Sequence, residues 1–380
     1  MKMREAAAIN KDIEACEQEY KIGSYESCAN NLNQILKHLP LIPDHEESIN
    51  KEKEILSLLI TCYIALYGYG SSQVAEAISR ATALGEELQD TSFIFSILWT
   101  NWSNVIVNGN IIQAQRFATE IMDLAEKNPS DKVIFVEAFH CLGVTEFNAG
   151  QFQESAKFLS TGLKKFDAKN RKLHIYNYGN DAEILLLSWL SWAKLLCGDQ
   201  QSYLNYQNKL LTAMRKSEHN SSYAFGYVFN AMGYVFQDNA KACIHALRSL
   251  DRTKADALPF WNSWANIVRK WAEYRETGVF QSIEEDIQHF IQLQGGIWEP
   301  FFKVLMADMN TRQNPALAAE IFATLVRNIK LGKSSFHSLP ILYFSSKYYR
   351  KLNPDKYEEI RALAKHIRVK QGARYWEWRI

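Results

Sequence analysis

A short turn-forming element returns about every 40 residues along this chain of 380 residues. Most copies are a glycine followed by an aromatic or small residue and then by an acidic or amide-rich helix start. A turn at this interval predicts a solenoid of helical hairpins, because each hairpin buries its apolar stripe against its neighbours. We therefore expect an all-α fold, an α-solenoid of about eight to nine antiparallel helix hairpins. The turns are centred on Gly23, Gly70, Gly109, Gly150, Gly198, Asp238, Gly278, Asn314 and Asn353.

The composition agrees with this fold and limits the partners. The chain has only 8 prolines and 17 glycines, which suits helices joined by short turns. Each proline lies near a predicted helix end, where its missing N–H group is tolerated. Charge is nearly balanced, with 43 basic against 42 acidic residues. We expect no nucleic-acid partner, because such binding needs a net basic surface.

The N-terminal segment is charged from its start and contains no apolar core of a secretion signal. The longest apolar run, 55–66, is too short to cross a bilayer, so no membrane insertion is expected. The six cysteines form no CxxC pair, and we expect them to be reduced packing residues. These features predict a cytoplasmic location, and delivery as an effector by a signal-free secretion route is the alternative.

The segment 136–167 shows the repeat most clearly. Its first helix carries Leu142 and Phe147 on one stripe at helical spacing. A turn at Gly150 follows, and Phe152 begins a second helix that faces back. The order of an aromatic residue, Leu-Gly, a second aromatic residue and spaced small residues resembles the tetratricopeptide repeat.

Looser copies of this unit are predicted along most of the chain. They are expected at 11–40, 92–108 with its partner helix, 182–214, 260–293, 298–330 and 336–371. Residues 373–378 look like an unpaired further helix. The copies predict a single domain, 1–380, whose N-terminal half (about 1–167) and C-terminal half (about 182–380) are joined by a loop at 167–181.

A more specific resemblance extends from about residue 50 to residue 380. It rests on the order of segments that runs from GYGSSQVAEAISRATALGEELQD through EAFHCLGVTEFNAGQFQESAKFLSTGL to ARYWEWR. This order is similar to the repeat region that follows the ATPase module in bacterial cyclase-like and maltose-regulator-like signalling proteins. In those proteins the array is taken to be a partner-binding or sensory arm. The resemblance therefore implies a bacterial regulatory protein that binds a partner or senses a ligand along its repeats.

The sequence offers no arrangement typical of an enzyme or of a metal site. Residues 331–334 resemble the end of a phosphate loop, but Arg327 stands where the first glycine is required. The nine histidines show no metal-ligand spacing. Cys141 follows His140, but adjacent helix residues point in different directions. We therefore expect no enzyme activity, no cofactor and no metal.

Tryptophans on the first helices of hairpins are candidates for the lining of a concave groove. Trp99, Trp192 and Trp261 lie on such helices, which line the concave surface in tetratricopeptide arrays. Aromatic residues are favoured at binding hot spots. Packing between neighbouring hairpins is the alternative role for each of them.

Alignment of 136–167 with the tetratricopeptide pattern places four further candidates in the groove. They are Glu137, His140, Phe147 and Asn148, and the alignment points Val144 to the same face. Polar side chains interleaved with an aromatic residue suit recognition of a peptide better than a dry cofactor pocket.

Two candidates lie in the predicted loop 167–181, near the mouth of the groove. They are Tyr178 and Asp181, and loops at such positions often carry binding residues. The alternative is that Asn180 or Asp181 simply caps the helix that follows.

These patterns favour a non-enzymatic scaffold that binds a protein or peptide partner in the concave groove. A repeat domain that senses a sugar or metabolite is the alternative, because aromatic faces with Asn and Asp side chains suit a carbohydrate. Self-association through the C-terminal helix is a third reading, since Tyr375, Trp376, Trp378 and Ile380 are apolar for the cap that a solenoid end needs.

Overall fold

The computed structural model describes residues 2–68, 70–248, 258–293, 295–332, 335–377 and 379. Over these residues the chain is all-α and contains no β-strand, as the sequence predicts. The first helices are α1 (Lys2–Lys21), α2 (Tyr25–His38), α3 (His45–Tyr67), α4 (Ser72–Leu88), α5 (Thr91–Val107), α6 (Ile111–Lys127), α7 (Lys132–Asn148), α8 (Phe152–Lys165), α9 (Arg171–Tyr178) and α10 (Ala182–Leu196). They are followed by α11 (Gln200–Lys216), α12 (Asn220–Phe236), α13 (Ala240–Arg248), α14 (Pro259–Thr277), α15 (Glu284–Gln292), α16 (Glu299–Gln313), α17 (Pro315–Lys330), α18 (Ser338–Leu352) and α19 (Pro354–Gln371). Short 3₁₀ turns lie at Leu39–Leu41, Ala168–Asn170, Gly296–Trp298 and Arg374–Trp376.

Most helices pack mainly against their neighbours along the chain, which is the packing of a helical-repeat solenoid. The pair α7 and α8 shows how the sequence permits this. A Cβ atom at Gly143 would lie 2.5 Å from Cγ of Leu159, so only glycine allows this close approach. The rings of Phe147 and Phe152 then close the hairpin with a centroid distance of 5.3 Å.

The predicted turns separate helices in the structure. Gly150 takes φ 81°, in the left-handed region that favours glycine. Asp238 also takes a positive φ, 53°, without being glycine. Asn314 and Asn353 cap helices that begin with proline, and each side chain accepts a hydrogen bond from a backbone N–H group three residues ahead.

The loop predicted at 167–181 is wrong, because most of it is helical. Residues Ala168–Asn170 form a 3₁₀ turn and α9 follows directly. His174 and Tyr178 lie one turn apart on α9, and both are buried. Eight residues are too few to show a helical period in the sequence, so burial of these two side chains was not foreseen.

The chain also makes contacts between helices that are far apart in the sequence, and the side chains expected to line an open groove are buried. α3 packs against both α9 and α14. The Tyr20 hydroxyl lies 3.3 Å from Nε2 of His219, although 199 residues separate them. The N–H group of Phe336 donates to the carbonyl oxygen of Asn148 at 3.3 Å. Aromatic residues make up 13% of the chain, and burying their large faces favours closure over an exposed lining.

The expectation of an unpaired C-terminal helix is wrong for the residues that can be described. The 3₁₀ turn Arg374–Trp376 packs against α10. Trp376 is buried, with its ring 5.3 Å from that of Tyr343 on α18. Trp378 and Ile380 lie outside the described residues, and the division of the domain into halves stays a prediction.

Candidate functional site

The side chains singled out in the sequence are all buried, and Trp261 is the most exposed of them at 4%. Their predicted location on an open groove is therefore wrong, because other parts of the chain cover them. Their role in partner binding stays a prediction. The residues concerned are Trp99, Glu137, His140, Phe147, Asn148, Tyr178, Asp181, Trp192 and Trp261.

Four of them, Trp99, Glu137, His140 and Tyr178, meet in a buried polar cluster. The fifth member of this cluster is His174. Oε2 of Glu137 accepts a hydrogen bond from Nε1 of Trp99 at 3.0 Å. Oε1 of the same carboxylate lies 2.6 Å from Nδ1 of His174 on α9. His140, one turn after Glu137, has its Nδ1 atom 3.8 Å from the carboxylate. Sequence reasoning missed His174 because it lies in the segment that was expected to be a loop.

Burial shifts the pKa of His140, of Tyr178 and of the neighbouring Cys141. Desolvation lowers the pKa of His140 to about 4, so its imidazole is neutral at pH 7. The same cause holds the pKa of the Tyr178 phenol and of the Cys141 thiol well above their ordinary values. The carboxylate of Glu137 and the imidazole of His174 are each at most 2% exposed. A dissolved substrate therefore has no access to the cluster in this conformation.

Asp181 adopts the capping role that was the alternative in the sequence. Its carboxylate accepts from the N–H group of Glu183 at 3.0 Å, at the start of α10. It also pairs with Arg171. Desolvation raises its pKa, and the Arg171 guanidinium opposes that rise. The backbone N–H group of Asp181 donates to Oγ of Ser222 at 2.7 Å, which ties the cap to α12.

Phe147, Trp192 and Trp261 belong to an aromatic core. The ring of Trp192 stacks on that of Phe229 at 4.0 Å, and its Nε1 atom donates to the Phe229 carbonyl oxygen at 3.0 Å. Phe147 lies 6.1 Å from Trp192. Trp261 is joined less directly, through Phe225 at 5.2 Å. These tryptophans therefore pack between hairpins, which was their alternative role.

Asn148 belongs to the covered end of α7. Its Nδ2 atom donates to the carbonyl oxygen of Val144 at 2.8 Å, within the same helix. Its backbone carbonyl oxygen accepts a hydrogen bond from the N–H group of Phe336, as described above. Both groups are used by the fold itself.

A surface cleft of about 910 Å³ lies where α14, α16 and α18 end. We call it the basic cleft. It is lined by residues 274–278 and 311–313, by Asp308 and Phe344, and by residues 347, 348 and 350–352. Sequence reasoning missed it, although each of the three helices has a cation in its last turn: Arg275, Arg312 and Arg350.

Two cations of the basic cleft are held by internal ion pairs. Nη1 of Arg275 lies 2.9 Å from Oδ2 of Asp308 and 3.0 Å from Oδ1 of Asp238. Nζ of Lys347 lies 2.5 Å from Oδ2 of Asp238, which also accepts from the hydroxyl of Tyr343 at 3.0 Å. Asp238 occupies the turn with positive φ, so this turn helps to shape the wall of the cleft.

Three other cations of the basic cleft, Arg312, Arg350 and Lys351, are exposed. In the part of the chain that the structure describes, none of the three forms an ion pair. They lie at helix C-termini, where the helix dipole favours positive charge. Because no ion pair holds them, these three side chains can bind an anionic ligand.

The described residues contain no group of three or more His, Cys, Asp and Glu side chains that could hold a metal ion. Within the same ranges, no helix is both long and apolar enough to cross a membrane. All six cysteines are free thiols, and five of them are buried. Of the segment that resembles the end of a phosphate loop, Lys333 and Ser334 lie outside the described residues.

No protein-family model matches this chain, and no curated protein was found to match it. The class that the structure itself defines is a helical-repeat-like, all-α protein. The likeness to tetratricopeptide repeats and to the bacterial signalling proteins stays a prediction.

Proposed function

We propose that this protein is a non-enzymatic interaction scaffold that binds a protein or peptide partner. In this proposal the chain is a right-handed superhelical array of eight to nine tetratricopeptide-like hairpins. The partner binds at the basic cleft, because the side chains that were expected to line a concave groove are buried. The sequence resemblance favours a bacterial regulator; a cytoplasmic location, or delivery as an effector by a signal-free route, is proposed from the N-terminal segment alone.

The observation that carries the proposal is the convergence of three helix ends on one accessible cleft. α14, α16 and α18 each belong to a different hairpin, so a ligand in the cleft would contact successive repeats. The lining is mostly charged and polar, whereas small-molecule pockets are predominantly apolar. Leu352, which is 66% exposed, adds an apolar contact at the rim. Charged side chains beside an apolar contact suit a peptide segment, which carries both kinds of side chain.

Capture experiments with two matched leucine variants test this proposal. Leu352 lines the basic cleft, while Leu331 is 70% exposed at the end of α17 and does not line it. We expect the immobilised full-length protein to retain a partner that mass spectrometry identifies and that binds again when purified. Leu352→Ser should weaken that binding about fivefold, and Leu331→Ser should leave it unchanged.

Two outcomes would contradict the proposal. One is equal binding of the purified partner by both leucine variants, which would place the interface elsewhere. The other is a failure to retain any protein, together with a raised melting temperature in the presence of a sugar or nucleotide. That second result would favour the small-molecule sensor.

A further inference from the structure

The charge of the basic cleft points to a particular class of ligand. Five cationic side chains and two carboxylates line it. The whole chain carries a formal net charge of only +1, so this local excess of positive charge is a feature of the cleft. We infer that the basic cleft binds an acidic peptide segment of the partner, an inference that rests on the proposed function.

The cations of the cleft divide into a fixed pair and a free set. Arg275 and Lys347 are held by Asp238 and Asp308, as described above, and Arg275 also lies over the Trp271 ring at 5.6 Å. These contacts make that wall rigid before any ligand arrives.

The free set consists of Arg312, Arg350 and Lys351, whose long side chains surround the opening. A guanidinium group binds a carboxylate through two parallel hydrogen bonds, which makes arginine well suited to recognise Asp and Glu side chains. Three such cations, on the ends of two different helices, match two or three carboxylates along an extended segment.

The apolar rim distinguishes a peptide from other anions. Leu352 is 66% exposed beside the half-buried ring of Tyr348, so the cleft offers one apolar contact among its charges. Glu276 and Asp308 also line the cleft, but its five cations outnumber them, so the cleft still favours an anionic ligand. An acidic segment that contains one leucine-sized residue satisfies both features.

A fluorescence-anisotropy titration tests the inference. The probe is a fluorescein-labelled peptide in which six glutamates flank a single leucine, and the control peptide has glutamine in place of each glutamate. We expect the acidic peptide to bind the full-length protein and the glutamine peptide to bind at least about tenfold more weakly. Affinity should fall as the salt concentration rises, because the three contacting cations are exposed to solvent.

Two triple variants with the same change of charge locate the site. The cleft variant carries Arg312→Glu, Arg350→Glu and Lys351→Glu. The control carries Lys164→Glu, Lys169→Glu and Lys172→Glu, which alter another exposed basic cluster. We expect the cleft variant to lose about tenfold or more in affinity and the control to bind as the unaltered protein does. Far-UV circular dichroism checks that both remain folded, and a neutral triple variant with glutamine at the three cleft positions should show an intermediate affinity.

Three results would overturn the inference. They are no binding of the acidic peptide, equal losses in both triple variants, or tighter binding of a single-stranded oligonucleotide at the same cations. The proposed function is judged separately, by the purified partner and the leucine variants. A partner that is lost on Leu352→Ser, while the acidic peptide fails to bind, would leave the scaffold in place and reject only the acidic ligand.

Discussion

Replacement of Phe147 by alanine distinguishes the buried core from the open groove that the sequence suggested. Phe147 lies in the last turn of α7, and its side chain is 0% exposed. Its ring has centroid distances of 5.3 Å to Phe152, 5.2 Å to Trp189 and 5.5 Å to Phe336. These neighbours belong to its own hairpin, to the next helix pair and to a segment far along the chain. A cavity at this position therefore weakens several hairpins at once.

The expected cost is large because the surrounding rings cannot collapse into the space. Truncation of a fully buried phenylalanine removes its transfer free energy and leaves a cavity, which together cost about 3–5 kcal/mol. Aromatic pairs add about 0.5–1.5 kcal/mol each beyond area burial, so the upper part of the first range is expected. We expect Phe147→Ala to lower the free energy of unfolding by about 4–5 kcal/mol.

Urea unfolding followed by tryptophan fluorescence and by far-UV circular dichroism measures this loss. The matched control is Phe280→Ala, since the Phe280 side chain is 37% exposed and touches the ring of Tyr274 at 5.9 Å. The control should cost less than about 1 kcal/mol. If Phe147→Ala costs no more than the control, Phe147 is not enclosed as described and the groove reading is restored.

Three further predictions follow from the same packing. Gly150→Ala should destabilise the protein more than Gly109→Ala. Both glycines have positive φ, but of the two only Gly150 would bring a Cβ atom against a side chain, 2.3 Å from Nε2 of Gln371. Thermal unfolding compares the two variants, and equal losses of stability would contradict that contact. Burial lowers the pKa of His219 from 6.5 to about 4, so the unfolded chain binds a proton that the folded chain does not. The free energy of unfolding should therefore fall by up to about 3 kcal/mol as pH drops from about 6.5 to about 4, with no contribution from this group above that window. Urea titrations across this range should show a shallower fall for His219→Gln, and an unchanged slope would refute the assignment. Trp376→Ala should cost about 3–5 kcal/mol in the same unfolding assay, whereas an unchanged stability would restore the unpaired terminal helix.

Most of the local structure could be predicted from the sequence. Gly150 favours a helix end because glycine adopts a positive φ, and Asn353 favours a helix start because its side chain caps the backbone. These preferences are local and depend little on neighbours in space. The apolar stripes of α7 and α8 likewise predicted which faces meet inside a hairpin. The 8-residue α9 was missed because it is too short to reveal a period.

The candidate site depended on contacts that no sequence pattern reports. Glu137 and His174 are 37 residues apart and meet only because α9 packs beside α7 and α5. The basic cleft likewise requires the ends of α14, α16 and α18 to lie together.

The sequence alone determined an all-α chain, its turn positions and the pairing of neighbouring helices, because these follow from local preferences and short-range apolar periodicity. Only the tertiary structure decided which faces remain open to solvent. Phe147 and Trp192 carry the same helical spacing whether they line a groove or fill a core, and the outcome depends on residues such as Phe336 that arrive from far along the chain. Exposure is a property of the whole packed assembly of helices, and for that reason it could not be read from any one repeat.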